Sequence, residues 1–387
     1  MFKPVRILQV AAAVLLGGCA SSHTAPPSAQ SALAAQAAPA ASASSHARRP
    51  PAASVDANGF VDAQGRLKPE IQSYARQVAA KHKLPLSHVE ALLEDARYNA
   101  KAAELMSPSK TRVRRSWVTY RKRFVEPVRI RAGVEFWNQH RATLDRTAAQ
   151  YGVPPSIIVA IIGVETVYGR YTGSFSVLDA IATLAFRYPD PQRPERSQLF
   201  QDQLADLIVL DYQGVLDARQ ATGSFAGAMG LPQFMPGSLM RYAADGDGDR
   251  HIDLAASPED AIASVANFLV QHGWRPGLPV FAPVVLPADA KSLVHGGLEP
   301  VYDWEQLKTQ GASKARAPVD SSFGSGWTQH KLGIVDLVDE PRRTAEYRCG
   351  TPNFFAITHY NRSYFYATSV ADLAQELASR MGYGAPN

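Results

Sequence analysis

From Pro69 onward the apolar positions recur with the spacing of a helix. Ile71, Tyr74, Ala75 and Val78 fall on one face, the stripe by which an amphipathic helix meets a core. Ser87-His88-Val89-Glu90 reads as a capping box that opens a second helix, with Val89, Leu92, Leu93 and Ala96 turned inward. A further helix is predicted from about Val134, carrying Phe136, Trp137, Leu144 and Ala148 and stopping near Gly152. Pro154-Pro155-Ser156 then leads into Ile157-Ile158-Val159-Ala160-Ile161-Ile162-Gly163-Val164, directly before Glu165. Such a run suits a buried strand or a helix covered on all sides. The leading prolines and the length to Gly169 favour the helix. Further helices are predicted at about 197–212, 258–272 and 369–381.

The pattern changes between about Leu278 and Gly350, where Pro, Gly and Val are frequent and the apolar runs are short. Val280-Phe281-Ala282-Pro283-Val284-Val285 and Gly333-Ile334-Val335-Asp336-Leu337-Val338 read as short strands of a small β module. The fold class is therefore mainly α (α+β). From Ala20 to about Ser54 the chain is Ala, Ser, Pro and Gln with almost no large apolar residue. It cannot bury enough surface to offset the entropy of ordering and reads as a flexible tether.

Ahead of the tether, Lys3 and Arg6 precede an apolar run from Ile7 to Leu16. The run is too short to span a bilayer and fits the core of a secretory signal. It ends in Leu16-Gly17-Gly18-Cys19, which resembles the lipobox of bacterial lipoproteins; a plain signal peptide with an incidental Cys is the alternative. The resemblance implies lipidation of Cys19 and removal of residues 1–18. With no Asp after Cys19, it favours the periplasmic face of the outer membrane, and with it a membrane partner reached through the lipid. Cys349 is the other cysteine, so a lipidated Cys19 leaves no pair for an intramolecular disulfide. Cys349 reads as a small buried hydrophobe.

The formal charge is +5, or +3 once Lys3 and Arg6 leave with the signal, a mild bias towards anionic partners. Lys110, Arg112, Arg114, Arg115, Arg121, Lys122, Arg123, Arg129 and Arg131 form a basic stretch interleaved with Trp117, Tyr120 and Phe124. Such a stretch suits nucleic acid, but export argues against that, leaving a solvated face or contact with acidic peptides outside the cell. The ten His residues show no zinc spacing, and no Gly-rich phosphate loop occurs.

Glu165 stands at the end of the most apolar segment in the chain. Desolvation and the negative end of a helix dipole both raise a carboxyl's pKa, as a general acid near neutrality requires. On this local pattern alone, a Glu marking the exposed end of the helix is the favoured reading. Asp245-Gly246-Asp247-Gly248-Asp249-Arg250-His251-Ile252-Asp253 resembles an EF-hand loop, with carboxylates at positions 1, 3 and 5 and the His251 carbonyl at position 7. Arg250 replaces the usual Gly at position 6 and Ala256 the usual Glu at position 12. A metal-free Asp/Gly turn is the alternative.

Two longer segments carry a family resemblance. Ile161-Ile162-Gly163-Val164-Glu165-Thr166 with Gly169-Arg170, and then Ser224-Phe225-Ala226-Gly227-Ala228-Met229-Gly230-Leu231-Pro232-Gln233-Phe234-Met235-Pro236, resemble the two signatures of the membrane-bound lytic murein transglycosylase B family. Trp117-Val118-Thr119-Tyr120-Arg121 and Tyr360-Asn361-Arg362-Ser363 support it. The resemblance covers roughly residues 56–387. It implies a helical part at 56–140, a lysozyme-like core at 141–277, the β module at 278–350 and a return to the core at 351–387, after the lipidated Cys and tether at 19–55.

The activity implied is cleavage of the β-1,4 bond between N-acetylmuramic acid and N-acetylglucosamine in peptidoglycan glycan strands, leaving 1,6-anhydromuramic ends. Glu165 would serve as both acid and base, with no cofactor for the chemistry. By motif position Tyr120, Ser224, Gln233, Tyr360, Asn361 and Tyr366 would line the substrate groove, with Arg196 on a looser match. Phe268 would line it too, standing where the family pattern leads us to expect a Tyr, so that one hydrogen bond to substrate is missing there. The family's variant calcium loop would draw its last carboxylate from Asp260, beside Asp245, Asp247, Asp249 and the His251 carbonyl, in a structural role. A hydrolytic muramidase on the same fold and a non-catalytic wall-binding lipoprotein are the competing readings. Partners among wall-synthesis enzymes are left open by the sequence.

Overall fold

The computed structural model describes residues 59–109, 111–315 and 325–383; the signal segment, Cys19 and the tether lie outside them. The first helix, α1 (Pro69–His82), has Pro at its start and Glu70 in its first turn, and buries Ile71, Tyr74, Ala75 and Val78 as the pattern requires. In α2 (Leu86–Asp95) the expected capping box does not form. Pro85 is the N-cap in place of Ser87, so the helix begins two residues early and Ser87 is already inside it. The next three, α3 (Ala100–Met106), α4 (Trp117–Phe124) and α5 (Pro127–Gln139), are capped by the side chains of Asn99, Ser116 and Glu126.

The helix predicted from Val134 to Gly152 is two helices. His140 ends α5 and begins α6 (Arg141–Tyr151), which closes on Gly152 in the left-handed conformation. The apolar period continues across the break, which is why periodicity alone does not reveal it.

At the centre lies α7 (Pro155–Thr166), in which every residue but Glu165 is buried. It packs against α5, α6 and two later helices, α11 (Pro258–Gln271) and α14 (Tyr364–Met381). Each fully buried Ile contributes about 1.5–3 kcal/mol relative to exposure. Ile157, Ile158, Ile161 and Ile162 therefore outweigh the roughly 1 kcal/mol that Gly163 costs inside a helix. Between α7 and α11 come β1 (Phe175–Ser176), α8 (Val177–Phe186), α9 (Pro194–Tyr212), β2 (Thr222–Gly223) and α10 (Pro236–Tyr242). β1 pairs antiparallel with β2.

Beyond α11 the expected short strands occur, as separate ladders. β3 (Val284–Val285) pairs with β4 (Ser313–Lys314), with α12 (Trp304–Thr309) between them. The hairpin of β5 (Gly333–Asp339) and β6 (Thr344–Gly350) runs from Gly333 opposite Gly350 to Asp339 opposite Thr344. Alternation along β5 divides two cores: Val335 and Leu337 join the main one, while Ile334 joins a second cluster with Leu278, Trp304, Leu307, Trp327 and Cys349. Burial pushes the Cys349 thiol up to about 12. α13 (Pro352–Thr358) then leads into α14. Asp372 of α14 accepts from Arg121 of α4 and Arg348 of β6, tying helical and β parts to one buried carboxylate. Among the described residues no single helix is long and apolar enough to cross a membrane.

Candidate active site

Glu165 sits one residue before the end of α7 with its carboxyl directed at α14. Its Oε1 accepts a hydrogen bond from the Tyr366 hydroxyl at 2.6 Å. Burial pushes the carboxyl up to about 7, against the smaller lowering influence of that bond; among the described residues no other acid contributes. The surrounding ionisable groups are phenols. Tyr120, Tyr360 and Tyr366 are all held well above the ordinary phenol range, first by burial and then by the charge of Glu165.

The two signature segments meet at the end of α7. Thr166, next to Glu165, donates to the Leu231 carbonyl at 2.9 Å and accepts from Gly169 N–H at 3.0 Å. Tyr360 donates to the Pro232 carbonyl at 2.7 Å and lies nearly parallel to Tyr366, ring centroids 6.3 Å apart. Within the second segment the Ser224 hydroxyl accepts from the N–H groups of Ala226 and Ala228. Gly227 and Gly230 are both left-handed, and a Cβ on Gly230 would lie 2.3 Å from the Leu254 carbonyl. Gln233, also left-handed at φ 52°, donates its side-chain amide to Gly230 and Thr172.

Backbone strain concentrates beside the carboxyl. Val167 (φ 51°) and Tyr168 (φ 60°) are left-handed, followed by Gly169 (φ 87°). A β-branched residue there is a steric outlier, and such outliers persist only where surrounding packing over-determines them. The packing is visible at Tyr168, whose ring passes between α5 and α7. A Cβ added to Gly133 or Gly163 would come within 2.3 or 2.4 Å of its hydroxyl.

The remaining substrate candidates fall in different places. Tyr120 packs on Phe124 and on Phe365, the neighbour of Tyr366. Asn361 is buried in the turn between α13 and α14. Phe268 requires a correction: it is 1% exposed, behind Tyr360 (4.7 Å between centroids) and against Phe234, Tyr242 and His272. Its ring supports Tyr360 and offers no face to a sugar. Arg196 engages Tyr188 by a 3.3 Å hydrogen bond and a cation–π contact.

In the acidic loop, ligand oxygens of Asp245, Asp247 and Asp249 lie within 4.8 Å of one another, and all three residues are exposed. Arg250 at position 6 keeps the left-handed backbone (φ 71°) for which that position usually uses Gly. His251 closes the turn by donating its N–H to Asp249. Asp260 is placed differently from the expectation. It is 1% exposed and accepts from Gly246 and Asp253 N–H groups at 2.8 and 2.7 Å, anchoring both sides of the loop outside the three-carboxylate cluster. The three carboxylates are the donor set a hard cation takes.

Two features escape the sequence reading. Arg129, counted in a basic stretch read as a solvated face or a contact for acidic peptides, is 4% exposed. Thr166 joins the two signatures. Glycines at 133 and 163 inside helices are the signal that marks the close approach.

A mainly helical fold in which one desolvated carboxyl closes a buried helix, ringed by phenols, defines a glycan-cleaving class of the lysozyme-like kind. The profile of the Transglycosylase SLT domain family matches residues 66–375, and the chain belongs to that family. It is 40% identical over 263 residues to Membrane-bound lytic murein transglycosylase B of Escherichia coli, an alignment covering 68% of each chain. The structure is similar to that of soluble lytic transglycosylase SltB1 from Pseudomonas aeruginosa, with a TM-score of 0.71, 37% identity, and coverage of 81% of this chain and 100% of that one. It is also similar to the Escherichia coli lytic transglycosylase Slt35 in complex with calcium, with a TM-score of 0.68, 34% identity, and coverage of 83% and 96%.

Proposed function

We propose that this chain cleaves the β-1,4 bond between N-acetylmuramic acid and N-acetylglucosamine in peptidoglycan, with Glu165 as its single acid and base. The observation that carries this reading is the Glu165 carboxyl itself, desolvated to about 7 and held by Tyr366, with no second acid among the described residues acting on it. Glycosidases that hydrolyse with two carboxylates need the second as base or nucleophile. Here the protonated carboxyl gives its proton to the departing glucosamine O4 as the C1–O4 bond breaks. The acetamido group of the muramic ring stabilises the positive charge at C1. The carboxylate then takes the proton of the muramic C6 hydroxyl as its oxygen bonds to C1, closing the 1,6-anhydro ring and restoring Glu165. Tyr366 keeps the carboxyl in one orientation through both transfers. A group with a pKa near the working pH suits both roles.

Tyr120 and Ser224, half-buried, face the groove around this carboxyl in the same reading, and Gln233, Tyr360 and Asn361, all buried, form its wall. Calcium held by Asp245, Asp247 and Asp249 would pin the loop before α11; the supports are the clustered carboxylates and the Slt35 relative that binds it. Lipidation at Cys19 and placement at the outer membrane rest on the lipobox resemblance and on a relative named membrane-bound. Glu165→Gln keeps the Tyr366 hydrogen bond but cannot donate the proton, so release of soluble fragments from purified murein should fall by at least about 10²–10⁴-fold. Turnover near wild type in a folded Glu165→Gln protein would remove Glu165 from the mechanism.

A further inference from the structure

Arg129 is a buried cation that the chemistry above does not use. A buried guanidinium persists only where its donors are met, and the partners here are specific. Nε donates to the Gly163 carbonyl at 2.8 Å, and a terminal nitrogen donates to the carbonyls of Arg123 and Phe124. Glu126 lies 3.6 Å from the same nitrogen and also caps α5 through the N–H groups of Val128 and Arg129. Gly163 is two residues before Glu165 on α7, while Arg123 and Phe124 end α4 one turn beyond Tyr120.

The last carbonyls of any helix lack partners within it, as those of Arg123 and Phe124 do at the end of α4. The Gly163 carbonyl already accepts from Val167 N–H at 3.1 Å and takes the guanidinium as a second donor. One planar guanidinium reaches both helix ends because its donors are fixed and point apart. Lysine could bring the same charge to the site, but its single nitrogen does not reproduce that fork. We propose that Arg129 is a positioning residue: by joining the ends of α4 and α7 it fixes the separation of Tyr120 and Glu165 across the groove. The inference rests on Glu165 acting as the acid and base. It also accounts for the buried glycine at 163, whose carbonyl faces the guanidinium while its Cα leaves room for the Tyr168 ring.

The test uses the full chain with Arg129→Lys, Arg129→Met and Glu126→Gln, assayed on purified murein beside wild type. Rates are normalised to the folded fraction from circular dichroism. A misplacement of about 1 Å costs up to about 10²-fold, so both Arg129 variants should lose about 10–100-fold in kcat with KM within about twofold. Glu126→Gln leaves the three carbonyl bonds in place and should lose less, again in kcat. Wild-type kcat and KM in Arg129→Lys would overturn the proposal. So would variants whose activity falls only in step with the folded fraction, which would make Arg129 a stabilising group and nothing more. If the Arg129 variants do not fold, Glu126→Gln decides: a loss in kcat alone supports positioning, and an unchanged kcat refutes it. A wild type that releases no fragments would instead sink the glycan-cleavage reading, so the two failures are distinguishable.

Discussion

Replacing Glu165 by Gln should make the protein more stable at alkaline pH, and by an amount the site itself sets. The carboxyl rises from an ordinary 4.5 to about 7 because burial disfavours its charged form. The folded protein therefore holds a proton that the unfolded chain has released. Below about 4.5 both states are protonated and the carboxyl costs nothing. As pH rises towards 7 the stability it withholds grows, and above 7 it reaches about 3 kcal/mol. The side-chain amide of the Glu165→Gln variant is neutral throughout and still accepts the Tyr366 hydroxyl. The stability gap between variant and wild type should then be near zero at pH 4 and about 3 kcal/mol in favour of the variant at pH 8. Urea denaturation at several pH values measures it, and other titrating groups cancel in the difference. A gap that does not change with pH, or a wild type more stable at pH 8, would show that the carboxyl is not desolvated as described.

Gly163→Ala would gain about 1 kcal/mol from helix propensity alone, yet its Cβ meets the Tyr168 hydroxyl at 2.4 Å. Overpacking of this kind costs about 1–3 kcal/mol, so denaturation should show a net loss that Tyr168→Phe partly restores; a more stable Gly163→Ala would refute the packing argument. Added calcium should raise the thermal midpoint by binding only the folded protein, and Asp247→Ala should abolish the shift. Identical melting with calcium and with chelator would argue for a bare turn. Cys19→Ser should leave the protein out of the lipoprotein pathway while its activity on isolated murein stays intact; absence of palmitate label in wild type would refute the lipobox reading.

The central helix was legible because its apolar run, opening prolines and closing Glu are local features that packing merely confirms. Its neighbours were less so. The break at His140 interrupts no apolar period, and Ser87 cannot cap α2 because Pro85 starts that helix first. The carboxyl and the two signatures could be read along the chain, whereas their junction through Thr166 and Leu231 spans 65 positions and exists only in the fold. Phe268 and Arg129 show what motif and charge leave open. An aromatic placed on the groove by motif position lies behind Tyr360, and a charge in a basic stretch that reads as exposed is buried between two helix ends. Charge and aromaticity mark what a side chain can do, while burial decides which of those things it does.

The most direct test of the central claim is to digest purified murein in water enriched in ¹⁸O and to weigh the products by mass spectrometry. If Glu165 directs the muramic C6 hydroxyl onto C1, the new ends are 1,6-anhydromuramic, one water lighter than reducing ends and free of label. Glu165→Gln should give none of them. Reducing ends carrying ¹⁸O would mean that water, not the substrate's own hydroxyl, completes the reaction, and the chain would be a hydrolase.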